Sequence, residues 1–285
     1  MIDKVGLGVD FFDAKYGGIY RNRPVLCMGR MGSGKNILSY HFVSQGLRTG
    51  DKVLLLSNIM AKDVVILGES YMMPFSTAVQ RGQLIILENA KLLNSDESTS
   101  SNVMLPPEAF MELQDIIESQ SVARIVLDSV VPWLAIQPVS RLTEHVYSFS
   151  HALERLRVTS FLTMPKPISA AAFSLKKLME DLCPVSITLD HENGANRSFM
   201  VSKYVGEMQG IAQTLPIDIV KGQGIVLREE KPKNQAPAYS FASAVAPQPP
   251  VRESASKENA TSANETPAKR GDGPIRFSDA LRGMK

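Results

Sequence analysis

Residues 29–36 of this chain read Gly-Arg-Met-Gly-Ser-Gly-Lys-Asn, which matches the phosphate-binding pattern Gly-x-x-x-x-Gly-Lys-Ser/Thr except at its last position. Such a loop needs a strand before it and a helix after it, because its backbone N–H groups must converge at a helix N-terminus. Both flanks are present. Residues 24–28 are an apolar run, and residues 36–50 have helical periodicity and end in glycine. The motif therefore predicts an α/β fold with a nucleotide phosphate site.

Each part of the motif has its own expected role. The glycines let the loop wrap around phosphate oxygens, and the lysine places a positive charge at the β- and γ-phosphates. The last residue usually offers a hydroxyl to Mg²⁺, whereas the amide oxygen of Asn36 is a poorer ligand for a hard cation. We expect ATP, with a weakened Mg²⁺ site. The predicted nucleotide-binding residues are Gly29, Gly32, Ser33, Gly34, Lys35 and Asn36.

Strand-like and helix-like segments alternate through residues 1–228, which predicts one domain with a largely parallel sheet covered by helices on both faces. Period-2 alternation after residue 183 indicates antiparallel strands at the C-terminal end of that sheet. Besides the strand before the phosphate loop, strands are expected at residues 52–57, 83–87, 123–127, 158–163, 185–189, 199–204, 214–220 and 224–228. Further helices are expected from residue 106 onward and over residues 140–157.

Charge and composition divide the chain of 285 residues in two. Nine of its 31 Lys and Arg and seven of its 29 Asp and Glu fall in residues 229–285, which leaves 22 of each in residues 1–228. This neutral balance argues against a nucleic-acid-binding domain, since such domains carry a basic excess. Residues 229–273 are rich in Pro, Ala, Ser and Asn, and they predict a disordered linker.

Residues 274–285 differ from the linker that precedes them. Phe277, Leu281 and Met284 fall at helical spacing, which is typical of a short peptide that docks in a partner's groove. An unstructured terminus is the alternative. The two cysteines form no disulfide framework, and Cys27, on the strand before the loop, is most simply a small buried apolar residue. The chain's start does not read as a signal peptide, and no apolar run reaches the length of a membrane span, so a cytoplasmic protein is expected.

Asp128 ends an apolar strand over residues 123–127. In P-loop proteins an aspartate in this place supports Mg²⁺, directly or through water. Many buried strands also end in aspartate for reasons of turn formation. Because a phosphate loop lies upstream, we favour Asp128, with Asn36, as the Mg²⁺ ligands.

These residues resemble RecA-like ATPases of the KaiC type. The opening Gly-Leu-Gly-Val-Asp-Phe-Phe-Asp at residues 6–13 is similar to the segment before the P-loop in that family, and the likeness extends over about residues 1–228. Further similar segments are residues 17–20, 50–56, 128–129, 159–163, 202–206 and 218–225. The resemblance implies a RecA-like sheet that assembles into oligomeric rings, with ATP bound between neighbouring subunits.

The chain also departs from the family pattern. The family usually carries one or two glutamates at the end of the second strand to activate the attacking water, and here Ser57 and Asn58 stand there. The family commonly places Lys and Arg two residues apart near the last strands, reaching into the neighbouring site. Lys203 matches this lysine as a candidate trans contact, but Val205 occupies the arginine position. Together with Asn36, the base position and the arginine position make three altered features among the residues that ATP hydrolysis would need.

These departures favour a nucleotide-binding pseudo-ATPase that acts as a regulatory or scaffold component, in a homo-oligomer or in a complex with another protein through the core and the C-terminal peptide. Glu69 and Glu88 are the nearby acidic residues, but neither aligns with the base, and we interpret both as ordinary. Three alternatives stay open: a slow ATPase activated by a partner or by oligomerisation, a DNA-associated RecA-like accessory factor, and an empty P-loop fold used only for protein contacts.

Overall fold

The computed structural model describes residues 3–89, 107–134, 139–193, 195–209 and 211–228. The strands in these ranges are β1 (Lys4–Val5), β2 (Ile19–Tyr20), β3 (Pro24–Gly29), β4 (Val53–Ser57), β5 (Leu84–Glu88), β6 (Arg124–Asp128), β7 (Thr159–Pro165), β8 (Val185–Glu192), β9 (Ala195–Tyr204), β10 (Thr214–Val220) and β11 (Gly224–Leu227). The α-helices are α1 (Asp10–Tyr16), α2 (Lys35–Arg48), α3 (Ala61–Ser70), α4 (Phe75–Gln80), α5 (Pro107–Gln120), α6 (Val131–Leu134), α7 (Leu142–Arg155) and α8 (Ala170–Leu182), and a 3₁₀ helix covers Val139–Arg141.

Nine of these strands form one sheet in the order β11-β10-β9-β8-β3-β7-β6-β4-β5, so β3 lies at its centre. The pairs from β8 through β3, β7, β6 and β4 to β5 are parallel. The pairs β8–β9, β9–β10 and β10–β11 are antiparallel. The predicted α/β fold, with a largely parallel sheet that ends in antiparallel strands, is confirmed.

The central strands are buried along their whole length, as expected for parallel strands with helices on both faces. Side chains of β3 alternate between two apolar clusters: Val25 and Cys27 belong to one, and Leu26 and Met28 to the other. Helix α2 contributes to the first cluster, while α5, α7 and α8 contribute to the second. Cys27 is fully buried and unoxidised, as the sequence predicted.

Several elements were not named in the sequence analysis. They are the two-stranded ribbon β1–β2 and the helices α1, α3, α4, α6 and α8. Helix α8 had a local signal, because the Ser169 hydroxyl accepts a hydrogen bond from the Ala172 N–H and caps the helix. Helix α2 ends at Arg48, two residues before the predicted end, and Gly50 follows with a φ of 84°.

A buried arginine ties the first residues of the domain to the sheet. Arg124, on β6, is 1% exposed. Its Nε donates to Asp51 Oδ2 at 2.7 Å and its Nη1 to the Gly6 carbonyl at 2.9 Å, while the guanidinium lies over the Phe42 ring. Since a buried cation is stable only when it is paired, Asp51 is required for this arrangement.

Residues Met1–Pro232 form one compact unit. No helix in the described ranges is both long and apolar enough to span a membrane. The predicted linker at residues 229–273 and the predicted docking residues Phe277, Leu281 and Met284 lie outside the described residues.

Candidate functional site

The predicted phosphate loop connects β3, at the centre of the sheet, to the N-terminus of α2. Gly32 and Gly34 have φ values of 78° and 103°, which glycine adopts without strain. A Cβ at Gly34 would also lie 2.7 Å from Ile219 Cδ1. No described side chain caps α2, so its first N–H groups face the loop, and Ser33 Oγ is buried without a hydrogen-bond partner in the described part. This backbone fits an oxyanion such as a phosphate.

Lys35 lies across the loop that it follows. Its ammonium donates to the carbonyl oxygens of Gly29, at 2.9 Å, and Arg30, at 2.8 Å. Burial lowers the pKa of Lys35 from its usual range, against the weaker opposing influences of Cys27 and Asp128. The lysine is therefore positioned at the phosphate loop, as the motif predicts.

Asp128 ends β6 and is 8% exposed. Its Oδ1 accepts a 2.5 Å hydrogen bond from the Thr163 hydroxyl on β7. Burial, the largest influence, raises the pKa of the Asp128 carboxyl, although the Thr163 hydrogen bond and the charge of Lys35 act in the opposite direction. In the described ranges no three His, Cys, Asp or Glu side chains are grouped to hold a metal ion. A Mg²⁺ ion would therefore depend on nucleotide phosphates as well as on Asp128 and Asn36.

An amide side chain, Asn58, stands at the end of β4, where the sequence resemblance leads us to expect a general base, and a second amide contacts it. Asn58 follows directly after β4, and its Oδ1 accepts a 2.8 Å hydrogen bond from Asn89 Nδ2. The same Asn89 nitrogen donates to the Asp128 carbonyl at 3.1 Å, and Asn89 is only 3% exposed. A carboxamide cannot take a proton from water near neutral pH, so this pair cannot act as a general base.

The nearby glutamates make structural hydrogen bonds. Glu88 Oε1 accepts from the Ala61 N–H at the start of α3, and Glu69 Oε1 accepts from the Ser76 N–H and hydroxyl. Glu88 also ends β5, the edge strand of the sheet, four strands from β3. At about 4.8 Å per strand, it lies about 19 Å from the line of β3. Glu88 therefore lies far from the loop, and the hydrogen bonds of both carboxylates are consistent with the interpretation of both as ordinary.

Lys203, the candidate trans contact, lies on β9. Its ammonium donates to the carbonyl oxygens of Glu180, at 2.5 Å, and Asp181, at 3.1 Å, in the last turn of α8. Within one chain it therefore interacts with the negative end of a helix. Val205, at the family's arginine position, is half-exposed and its carbonyl accepts from the Tyr20 hydroxyl. A contact of Lys203 with a neighbouring subunit stays a prediction.

Charged residues that the sequence analysis did not select surround the loop. Asp190, on β8, pairs with Arg30 Nε at 3.2 Å and with Lys166 Nζ at 2.7 Å. Burial alone would raise the pKa of Asp190, but hydrogen bonds from Lys166 and the His191 N–H, with the charge of Arg30, lower it. Arg197 Nε donates to the Gly32 carbonyl at 3.4 Å. No local motif marks these residues, because strands that are distant in the sequence from the loop bring them to it.

A cleft of about 430 Å³ opens beside the loop. Its volume lies within the usual range of about 300–1,000 Å³ for small-molecule sites. Loop residues form one side, and Tyr71, Ile37 and Ile219 supply apolar surface. The complete lining is Met31, Gly32, Gly34, Lys35, Asn36, Ile37, Tyr71, Arg197 and Ile219. A phosphate loop that opens into a partly apolar cleft fits a phosphate-bearing ligand such as a nucleotide.

Comparisons with known proteins agree with this geometry. The crystal structure of a KaiC-like protein from the hyperthermophilic archaeon Pyrococcus horikoshii OT3 matches with a TM-score of 0.64 and 20% sequence identity, over 80% of this chain and 100% of that chain. At this identity the likeness shows the fold, which confirms the RecA-like architecture. No curated protein sequence matches the chain. The sequence profile described as "ATPase: KaiC" matches residues 5–232, most of the 285 residues, and the chain therefore belongs to the KaiC ATPase family.

Proposed function

We propose that this chain binds ATP at residues 29–36 as a regulatory or scaffold ligand and hydrolyses it weakly or not at all. Family membership supports nucleotide binding in general. The observation that carries the proposal is the Asn58–Asn89 amide pair, which stands at the base position of an otherwise well-formed phosphate site.

The binding side of the site is complete in its essential parts. The positive φ values of Gly32 and Gly34 and the ammonium of Lys35 at the Gly29 carbonyl support phosphate binding at the loop. The cleft beside the loop offers apolar surface for a base. We therefore expect ATP and ADP to bind by contacts that do not depend on the altered residues.

The hydrolytic side lacks two groups. Loss of a general base lowers a rate by roughly two to four orders of magnitude. Loss of an arginine that contacts the transferred phosphoryl group costs about three to five orders of magnitude in related reactions. The two losses combine less than additively, and both fall on catalysis, because neither residue belongs to the phosphate loop. With Asn58 at the base position and Val205 at the arginine position, binding without efficient turnover is favoured.

Magnesium would enter the site with the nucleotide. Asn36, through its amide oxygen, and Asp128, directly or through water, are the residues that would hold it. When bound, the ion would neutralise phosphate charge. Because Asn36 replaces a hydroxyl and Asp128 is partly engaged by Thr163, we propose that the ion contributes less to ATP affinity than in an active enzyme.

Assembly is the second part of the proposal. The chain would form a homo-oligomer or a complex with another protein, through the core and residues 274–285, where Phe277, Leu281 and Met284 would dock. Deletion of residues 274–285 should leave the melting temperature and nucleotide affinity unchanged while removing a partner in pull-down experiments. If every partner remains after the deletion, the peptide has no docking role.

The central test is a titration of the full-length chain with ATP and ADP, with and without Mg²⁺, followed by size-exclusion chromatography and a steady-state hydrolysis assay. We expect both nucleotides to bind, little turnover, and loss of most affinity in Lys35→Ala. The matched control is Lys62→Ala, because Lys62 is exposed on α3. The proposal fails if millimolar ATP causes no shift in melting temperature, or if ATP turns over at ordinary enzymatic rates of about 10 s⁻¹ that Lys35→Ala abolishes.

A further inference from the structure

Lys166 is the first residue after β7, and β7 lies between β3 and β6 in the sheet. All three strands are parallel, so their carboxyl ends meet at one edge. The phosphate loop leaves that edge from β3, and Asp128 ends β6. Lys166 therefore stands between the phosphate loop and the candidate Mg²⁺ ligand, where the last phosphate of a triphosphate would lie.

A shared oxygen places Lys166 close to Lys35. The Gly29 carbonyl accepts from the Lys166 N–H at 3.0 Å and from the Lys35 ammonium at 2.9 Å. The Lys166 backbone nitrogen and the Lys35 ammonium nitrogen therefore lie within about 6 Å of each other, the sum of these two distances. A lysine side chain has a flexible four-carbon stem, so the Lys166 ammonium can reach ligands bound over the loop.

The Lys166 ammonium is paired with Asp190 Oδ2 at 2.7 Å. Asp190 lies on β8, the neighbour of β3 on the opposite side from β7, so this ion pair crosses the end of β3 at the start of the loop. Asp190 also pairs with Arg30, so it keeps a cationic partner if Lys166 moves away. The side chains of Lys166 and Asp190 are 45% and 32% exposed, and ion pairs with such exposure contribute little. A phosphate, with greater negative charge, can compete for the lysine.

We infer that Lys166 distinguishes a nucleoside triphosphate from a diphosphate at this site: it leaves Asp190 to bind the γ-phosphate and stays on Asp190 when only a diphosphate is present. The inference rests on the proposed nucleotide binding. Lys166 thus supplies, from the same chain, a positive charge at the γ-phosphate. The arginine that a neighbouring subunit is expected to contribute there is replaced by Val205 in this sequence. Asp190 is the residue that competes with the γ-phosphate for Lys166.

The test compares ATP and ADP affinities by isothermal titration calorimetry on the full-length chain. Lys166→Met keeps the length of the side chain and removes its charge. We expect it to weaken ATP binding about tenfold and ADP binding less than twofold, since one charge-assisted hydrogen bond is lost only with ATP. The control is Lys176→Met, because Lys176 pairs with Glu180 on α8. The ratio of ATP affinity to ADP affinity in Lys176→Met should equal that of the unmodified chain. The melting temperature of each variant shows whether it is folded.

Asp190→Asn tests the competition. It should strengthen ATP binding a few-fold with little effect on ADP, and the gain should disappear when Lys166→Met is also present. If the gain persists in full in the double variant, Asp190 acts by simple repulsion and the competition is refuted. If Lys166→Met changes both affinities equally, or neither, the inference is wrong while the proposed function stands. If the unmodified chain binds neither nucleotide, the proposed function fails, and this inference with it.

Discussion

Asn89 holds Asn58 by a 2.8 Å hydrogen bond while donating to the backbone carbonyl of Asp128 at 3.1 Å. The two strand ends that usually carry the water-activating and metal-binding carboxylates are thus joined by amides. The arrangement is a polar network that is only partly satisfied, because the buried Asn89 Oδ1 has no hydrogen-bond partner among the described residues, and in it only Asp128 can ionise.

This network predicts that catalysis can be partly restored. Asn58→Glu places a carboxylate at the end of β4, and we expect ATP turnover to rise by about two orders of magnitude, the lower end of a general base's usual contribution. The measurement is steady-state phosphate release at saturating ATP and Mg²⁺. Asn58→Gln, which extends the side chain without a charge, should leave the rate at its original value. Equal rates in the two variants would show that the base is not what limits hydrolysis.

The candidate Mg²⁺ site predicts that a substitution can increase the effect of Mg²⁺ on ATP affinity. Asn36→Thr restores the hydroxyl that the loop pattern expects at the start of α2. We expect Mg²⁺ to increase ATP affinity about five- to tenfold more in this variant than in the unmodified chain, because the hydroxyl is a better ligand for a hard cation. Titrations with Mg²⁺ and with EDTA measure the difference. Asn36→Ala serves as the control and should reduce the Mg²⁺ effect.

The burial of the Asp128 carboxyl predicts that this residue lowers the stability of the fold while supporting Mg²⁺-dependent ATP binding. Its folded pKa is raised above the unfolded value, chiefly by burial, so at neutral pH the ionised carboxylate costs stability, and this cost falls as pH drops through the folded pKa. Asp128→Asn should therefore raise the melting temperature at pH 7 by a few degrees while weakening Mg²⁺-dependent ATP binding. The stabilisation should shrink as the pH falls through the raised folded pKa of Asp128 toward the unfolded value of about 3.9. A melting-temperature difference that stays constant from pH 7 to about pH 4 would contradict this account.

The buried pair Arg124–Asp51 predicts a large stability effect far from the site. Asp51→Ala leaves a cation that is 1% exposed without its carboxylate, and the free energy of unfolding should fall by about 3 kcal/mol. Urea denaturation measures this change. The control is Asp3→Ala, which breaks the exposed ion pair with Arg21 and should cost less than about 1 kcal/mol. Similar decreases in the free energy of unfolding in the two variants would mean that the burial of Arg124 does not determine how much its ion pair stabilises the fold.

The features that could be predicted from the sequence are those encoded within one strand, loop or helix. The apolar runs at β3 and β6 follow from composition, and the Gly-rich loop follows from the backbone conformations that Gly32 and Gly34 supply. The predicted position of Asp128 at a strand end is also local, since the residue directly follows its apolar run.

The remaining site residues depend on tertiary pairing. Lys166 and Asp190 meet only because β7 and β8 both pair with β3, and Asn89 reaches Asn58 only because β5 pairs with β4. Neither pairing has a local sequence signal. The β1–β2 ribbon has two residues in each strand, too few for a period-2 pattern to emerge.

The contact of Gly34 with Ile219 has a consequence beyond the loop. Ile219 lies on β10, which turns directly into β11, and from the end of β11 the chain continues into residues 229–285. A side chain at Gly34 would press on the β10–β11 hairpin. The shape of the phosphate loop is thus coupled to the antiparallel end of the sheet through one packing contact, and a larger side chain at Gly34 would disturb both.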